Sequence, residues 1–238
     1  MYYARKKAQR IMSENKEKRR LQKTTRACLL LLVMCLCLLA GCAHQTSAPQ
    51  ASASAPAQTL EPESACDVLF YGDSLTAGGN FGDFFPDLHV VNLGINGATL
   101  EDLTEWVPRV SAQHPDKIFV MAGGNNLEAG NAEECAALFR GLLDALREAC
   151  PYAEIHVESM LPADKAVASR ANRPNRVVRD YNRLMEELAE EYGLPYLDIY
   201  PAYEDHGGLN SELTEDGIHL KADAFGPWAE IVRPYLEP

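Results

Sequence analysis

Three residues from opposite ends of the chain could together perform nucleophilic catalysis. Ser74 follows a short apolar run at 67–71 and a glycine, and a serine at the carboxyl end of a buried strand is a candidate nucleophile. A serine hydroxyl needs a base that takes its proton. Asp216 and His219 are three positions apart, so one turn lets the carboxylate accept from one ring nitrogen while the other faces the serine.

The elements that would position these residues alternate along the chain. Short apolar runs are separated by helical patterns, which predicts a parallel sheet covered by helices on both faces. We expect a three-layer α/β/α sandwich with a five-stranded, flavodoxin-like parallel sheet. The expected strands are 67–71, 89–93, 117–122, 154–159 and 195–199. Ser74 would then lie just past the first strand, at the sheet edge where ligands bind.

Helix boundaries carry weaker signals. Thr99-x-x-Asp102 and Asn131-x-x-Glu134 have the spacing of capping boxes, so each predicts the start of a helix. A last helix is expected over about 222–236, with an interruption at Gly226-Pro227.

Four motifs occur in the order and approximate spacing of the SGNH (GDSL) hydrolase family, which the chain resembles from about Ala65 to Leu236. They are Gly72-Asp73-Ser74-Leu75, Asn92-Leu93-Gly94-Ile95-Asn96-Gly97, Gly123-Gly124-Asn125-Asn126 and Asp216-x-x-His219. Each motif alone arises by chance in many proteins, whereas four in order are specific.

The resemblance implies a serine hydrolase that needs no metal or cofactor. Ser74 would attack an acyl carbonyl, His219 would be the general base, and Asp216 would orient it. The backbone N–H groups of Ser74 and Gly94 and the side-chain amide of Asn125 would form the oxyanion hole. A glycine at 94 would let its N–H approach the reacting oxygen closely.

The roles of Asn126, Asp73 and His206 stay open at the level of sequence. The family's third motif usually ends in aspartate, and Asn126 in its place puts the geometry of that loop in doubt. Asp73 suits a turn residue and helix N-cap at least as well as a direct role. His206 stands beside two acids and is the one competitor of His219, although its glycine neighbours favour a solvated loop.

The amino-terminal 41 residues are typical of an export signal. Residues 1–27 hold ten Lys or Arg and two Glu, and 27–41 form an uncharged Leu-rich run, shorter than the roughly 20 residues of a membrane-spanning helix. Leu39-Ala40-Gly41-Cys42 resembles a bacterial lipobox, which implies cleavage before Cys42 and lipidation of its thiol. A signal anchor that is never cleaved is the alternative.

Composition separates a tether from the folded part. Residues 42–64 are mainly Ala, Ser, Pro, Gln and Thr and predict a flexible linker, which leaves 65–238 as the hydrolase domain. The chain has 22 basic and 34 acidic residues, so the part after the basic signal carries a net charge of about −20. This acidity argues against nucleic acid as a partner. We expect an extracytoplasmic monomer held to a bacterial membrane through Cys42.

Three cysteines remain in the folded part. Cys135 and Cys150 bracket one predicted helix and would lie too far apart for a disulfide bond. A bond between Cys66 and Cys150 stays open, although buried free thiols are the favoured interpretation. No spacing resembles a zinc site.

The sequence therefore predicts a serine esterase or lipase that cleaves acyl or acetyl esters of envelope glycans or lipids through an acyl-Ser74 intermediate. An acyltransferase with the same triad and a surface-binding lipoprotein without catalysis remain alternatives. The Gly-x-Ser-x-Gly elbow of α/β-hydrolases and the glycine-rich loops of phosphate-binding proteins do not occur in the sequence.

Overall fold

The computed structural model describes residues 66–236 of the chain. The predicted signal peptide and the whole of the predicted linker, Cys42 included, lie outside this region. The main sheet has five parallel strands in the order β2-β1-β3-β4-β5, which confirms the predicted flavodoxin-like sheet. The strands are β1 Val68–Gly72, β2 Val90–Gly94, β3 Lys117–Met121, β4 Glu154–Glu158 and β5 Tyr196–Leu197. A short antiparallel hairpin pairs β6 Glu204–Asp205 with β7 Gly208–Leu209.

Helices cover both faces of the sheet. They are α1 Ser74–Ala77, α2 Leu100–Ser111, α3 Ala132–Ala149, α4 Lys165–Arg170, α5 Asn175–Tyr192 and α6 Gly226–Val232. Helix α3 packs between α2 and α5. Within residues 66–236, no helix is long and apolar enough to cross a membrane.

Strand β1 shows why the three layers form. All five of its residues are buried, as expected for a central strand covered on both faces. The Tyr71 hydroxyl donates to the carbonyl of Leu103 in α2 at 2.5 Å. The neighbouring Phe70 ring stacks on Phe81 at 3.8 Å, and Phe81 meets Trp228 of α6 edge to face at 5.1 Å. Successive side chains of one strand therefore bind the sheet to two different helix layers.

The two expected capping boxes have different outcomes. At the start of α2, the Thr99 hydroxyl accepts from the Asp102 N–H while the Asp102 carboxylate accepts from the Thr99 N–H, so this box is confirmed. The box at Asn131 is wrong, because its side chain accepts from Glu128 N–H and donates to the Asn126 carbonyl instead.

Two other expected boundaries also differ. The last helix begins at Gly226 and is not interrupted there, because Pro227 is tolerated in a first helical turn. Strand β5 is shorter than expected. The N–H groups of Ile199 and Tyr200 donate to the Ser159 hydroxyl, both at 2.8 Å, and so leave the ladder.

The cysteines of the described region are buried free thiols, as predicted, and Cys66 and Cys150 are not joined. Burial raises the pKa of both Cys66 and Cys135 to about 11. A thiol that stays protonated at neutral pH is a poor nucleophile.

Strand β4 carries a carboxyl group into the core. Glu158 is fully buried; its Oε1 accepts from the Trp228 indole N–H at 2.7 Å, and its Oε2 has no partner among the described residues. Burial raises the pKa of Glu158 to about 8, although the indole hydrogen bond acts in the opposite direction. The side chain is therefore a neutral acid in the folded protein below that pH.

We expect Glu158 to make the fold less stable as the pH rises. Between the ordinary pKa of 4.5 and about 8, the folded state holds a proton that the unfolded state has lost. The free energy of unfolding should therefore fall by up to about 1.4 kcal/mol per pH unit in this window. Glu158→Gln keeps an acceptor for Trp228 and cannot ionise, so it should equal the wild type near pH 4.5 and exceed it at pH 8. Denaturant titrations across this range measure the difference, and parallel curves for the two proteins would contradict the assignment.

Candidate active site

Ser74 is positioned by the end of β1 and the start of α1. Gly72 ends the strand, and a Cβ there would lie 2.1 Å from the carbonyl oxygen of Met121 in the neighbouring strand. Asp73 then caps α1, because its carboxylate accepts from the Leu75 N–H at 3.0 Å. The prediction that Asp73 is a helix N-cap is thus confirmed. Ser74 is the first residue of the helix and stands at the carboxyl edge of the sheet.

A tight loop between 214 and 219 brings His219 to the serine. The Asp216 Oδ2 lies 2.6 Å from His219 Nδ1, and His219 Nε2 lies 2.9 Å from Ser74 Oγ. With the ring proton on Nδ1, Nε2 can accept the serine proton. The Thr214 hydroxyl donates to the His219 carbonyl at 2.7 Å and accepts from the Gly217 N–H at 2.9 Å, so it fixes both ends of the loop.

The Asp216 carboxylate stays ionised in this loop. Its Oδ1 accepts from the backbone N–H groups of Ile218 and His219, both at 2.8 Å. Desolvation would raise the pKa of Asp216, but the hydrogen bonds from the His219 ring and from these two N–H groups hold it well below its usual range. The negative charge of Asp216, 2.6 Å from Nδ1, orients the ring and can stabilise its protonated form.

The structure contradicts the role expected of Gly94. Its N–H donates to the side-chain oxygen of Asn92 at 2.8 Å and is therefore not free to bind a reacting oxygen. A Cβ at position 94 would lie 2.2 Å from the backbone nitrogen of Ala77, so the glycine is needed for the close packing of α1 on β2. Gly94 also does not line the cleft that holds Ser74.

Gly97, three residues later, lies where Gly94 was expected. It lines the same cleft as Ser74, has a positive φ of 75°, and a Cβ there would meet only open space. In the described part of the chain, neither its N–H nor that of Ser74 donates to another backbone group. The prediction of Gly94 as an oxyanion donor is therefore wrong, and Gly97 of the same motif is in the position to take that role.

Asn125 lies in the cleft as expected. One hydrogen of its side-chain amide is donated to the Ala98 carbonyl at 2.8 Å, which leaves the second hydrogen for another acceptor. The cleft thus holds three groups that can donate to an oxyanion, namely the backbone N–H groups of Ser74 and Gly97 and the amide of Asn125.

Asn126 has a structural explanation. Its side-chain oxygen accepts from the Leu100 N–H at 2.8 Å, and its amide donates to the Glu101 carboxylate at 2.8 Å. An aspartate could accept the first bond but would repel Glu101. The Asn126 side chain therefore ties the loop that carries Asn125 to the start of α2, and an aspartate there would keep only the bond to Leu100.

The cleft has a volume of about 610 Å³ and includes a residue that the sequence did not single out. Arg173 enters it from the segment just before α5, and its Nη1 donates to the Gly124 carbonyl at 2.5 Å. No motif marks this arginine. His206 is on the β6–β7 hairpin, where 91% of its side chain is exposed, and it does not line the cleft.

Comparison with known proteins agrees with this geometry. The GDSL-like Lipase/Acylhydrolase family matches residues 70–224. Platelet-activating factor acetylhydrolase IB subunit alpha1 from Bos taurus is 27% identical over 193 residues, which cover 76% of this chain and 78% of that protein. N-acylneuraminate cytidylyltransferase from Streptococcus agalactiae is 28% identical over 134 residues, and this match covers 56% of this chain but only 31% of that protein.

A solved structure has the same fold. The GDSL-like lipase from Bacteroides thetaiotaomicron superposes with a TM-score of 0.61 at 20% identity, over 72% of this chain and 88% of that one. The family match extends from β1 to the residues just before α6 and includes the serine, both loops of the cleft and the histidine. The chain therefore belongs to the GDSL-like lipase/acylhydrolase family, and it is an ester hydrolase.

Proposed function

We propose that the protein is a serine esterase that cleaves short acyl esters, acetyl esters above all, through an acyl-Ser74 intermediate. The observation that carries the proposal is the unbroken contact from Ser74 Oγ to His219 Nε2 at 2.9 Å and from His219 Nδ1 to Asp216 at 2.6 Å, at the floor of an open cleft. A nucleophile, a base and a carboxylate in this order are what acyl transfer through a serine requires.

The reaction follows from the positions of these groups. His219 Nε2 takes the proton as Ser74 Oγ attacks the ester carbonyl, and Asp216 stabilises the positive ring. Negative charge develops on the carbonyl oxygen and is bound by the donors of Ser74, Gly97 and Asn125. His219 then gives its proton to the departing alcohol, which leaves an acyl-serine. Water, activated by the same histidine, attacks this ester and releases the acid and the free serine.

The cleft supports a small acyl group. Its apolar side chains are limited to Leu75, Ala77 and Ile218, and the remaining lining is polar or glycine. A long alkyl chain would therefore find few apolar side chains to pack against, and at about 25 cal/mol per Å² of buried apolar area the small contact would add little to binding. The acetylhydrolase name of the bovine relative agrees with this size.

The sequence of the amino end supports a place outside the cytoplasm. The basic segment, the apolar run 27–41 and the lipobox-like Leu39–Cys42 are the features of an exported lipoprotein. Several acyl chains on Cys42 would give a stable membrane anchor, and the residues after it would serve as a tether. The ester substrates we propose are therefore those of envelope glycans or lipids.

Loss of any triad residue should abolish hydrolysis. In the full-length protein, Ser74→Ala and His219→Ala should each lower kcat for p-nitrophenyl acetate by about 10³-fold or more, because nucleophile and base act as a unit. The wild type should cleave p-nitrophenyl acetate faster than p-nitrophenyl butyrate, and p-nitrophenyl octanoate most slowly. His206→Ala is the matched control and should retain full activity. Equal rates for all these proteins would refute the triad, and transfer of acetyl to an added glycan in preference to water would identify an acyltransferase.

Asn125 should act only in the transition state. Asn125→Ala should lower kcat by about 10²- to 10³-fold with little change in KM, since one oxyanion donor is worth about 3 kcal/mol of barrier. Steady-state kinetics on p-nitrophenyl acetate measure both constants. An increase in KM alone would mean that Asn125 binds the ground state and does not belong to the oxyanion hole.

Asn126→Asp should restore the usual family residue at a cost in stability and not in catalysis. The new carboxylate faces Glu101, so the free energy of unfolding should fall by less than about 1 kcal/mol because the pair is solvent-accessible. The double variant Asn126→Asp with Glu101→Gln should recover the lost free energy of unfolding. In both variants kcat/KM should stay within about threefold of the wild type. Denaturant titration together with kinetics tests this, and a large rise in activity on Asn126→Asp would show that the asparagine limits catalysis.

A further inference from the structure

The guanidinium of Arg173 has almost no partners within the protein. Its Nη1 donates to the Gly124 carbonyl at 2.5 Å, and its Nε is buried without an acceptor among residues 66–236. In the same region no carboxylate forms an ion pair with it. Arginine has five N–H donors and is seldom buried without carboxylate or phosphate partners. Arg173 lines the catalytic cleft, so its guanidinium has a positive charge and unused N–H donors that a ligand in the cleft could bind.

Asp73 is the carboxylate whose charge acts on Arg173, but the two side chains form no ion pair in the described region. Asp73 is buried in the lining of the same cleft, and its Oδ1 accepts from the Leu75 N–H. Burial raises the pKa of Asp73, against the effects of Leu75 and Arg173. The chain as a whole carries a net charge of −12, so a cation at the reaction centre is contrary to the general character of the protein.

The backbone holds Arg173 in place before any ligand binds. Its N–H donates to the Ala168 carbonyl at 3.0 Å, and the preceding carbonyl of Asn172 accepts from the Ala129 N–H at 2.8 Å. On the other side, Asn175 donates to the Ala163 carbonyl at 2.7 Å and accepts from its N–H at 2.9 Å. A binding group whose backbone is already fixed loses less entropy when its ligand arrives.

We propose that Arg173 is a specificity residue that binds a carboxylate of the substrate, so that the preferred esters are acylated hydroxyls of acidic molecules, such as acidic sugars. This inference rests on the proposed esterase function and adds the class of substrate. A carboxylate matches the planar guanidinium and carries the single negative charge that one arginine can balance. A phosphate dianion would face Asp73 with excess negative charge, and the cleft offers no second arginine or lysine.

A purely structural role for Arg173 makes a different prediction. If the arginine only holds the Gly124 carbonyl and thereby the loop of Asn125, its loss would slow every ester equally and would act on kcat. If it binds substrate, its loss would affect only esters with a carboxylate, and mainly through KM.

The test compares esters that differ only in charge. The full-length wild type, Arg173→Gln and Arg173→Lys are assayed with 2-, 3- and 4-acetoxybenzoate and with the corresponding uncharged acetoxybenzamides. For at least one position of the carboxylate, the wild type should prefer the acid to the amide. Arg173→Gln should lower kcat/KM for that acid by about 10- to 100-fold, as expected for a hydrogen bond between charged groups, and change the amide by less than about threefold. Arg173→Lys should be intermediate, because it keeps the charge without the planar fork.

A binding measurement separates this proposal from the proposed function. In the Ser74→Ala protein the same acetoxybenzoates can bind without being cleaved, and calorimetry should show that Arg173→Gln weakens their binding by a similar factor. The proposal is overturned if Arg173→Gln lowers kcat/KM and affinity for the acetoxybenzoates no more than for the acetoxybenzamides. If 3-acetoxyphenyl phosphate binds more tightly than 3-acetoxybenzoate, the site recognises phosphate and the carboxylate assignment is wrong. Lack of Ser74-dependent cleavage with intact Arg173-dependent binding would refute the esterase and leave the anion site.

Discussion

The position of Ser74 depends on the contact between α1 and β2. A helix of only four residues cannot hold its own place, because nucleation of a single turn is unfavourable. Asn92 of β2 fixes it by donating to the carbonyls of Thr76 at 2.8 Å and Gly79 at 2.7 Å. The missing side chain of Gly94 lets the backbone of α1 come this close. A strand that carries no catalytic group therefore helps to hold Ser74 within 2.9 Å of His219.

Other asparagine side chains also hold irregular backbone that follows the strands and precedes the helices. Asn182 both donates to the carbonyl and accepts from the N–H of Met160, each at 2.9 Å, and Asn175 binds Ala163 in the same two-way manner. Asn126 links the loop after β3 to the start of α2. An amide can satisfy a donor and an acceptor at once, so irregular backbone stays hydrogen-bonded where the sheet ladder has ended. Asn126 and Asn175 thereby fix the segments next to the cleft residues Asn125 and Arg173.

Sequence reasoning could predict the parts of this site that local patterns encode. The five strands follow from the apolar runs, and Ser74 and the pairing of Asp216 with His219 follow from short motifs that occur in a specific order. The choice between Gly94 and Gly97 could not be made in the same way, because the side chain of Asn92 decides which N–H remains free. Arg173 reaches the cleft from a segment without a motif. Glu158 stood inside an apolar run, and its partner Trp228 is 70 residues away.

The openness of the cleft has a consequence for the fate of the acyl group. The side chain of His219 is 46% exposed and that of Asp216 is 54% exposed, so the catalytic base is reached directly from bulk solvent. In the mechanism proposed here, nothing in the described region screens the acyl-serine from hydroxyl groups other than water. Whether the acyl group is lost or passed on then becomes a competition decided by the local concentration of acceptors. The same molecule would release acid in dilute solution and exchange acyl groups among neighbouring sugars in a crowded polysaccharide layer.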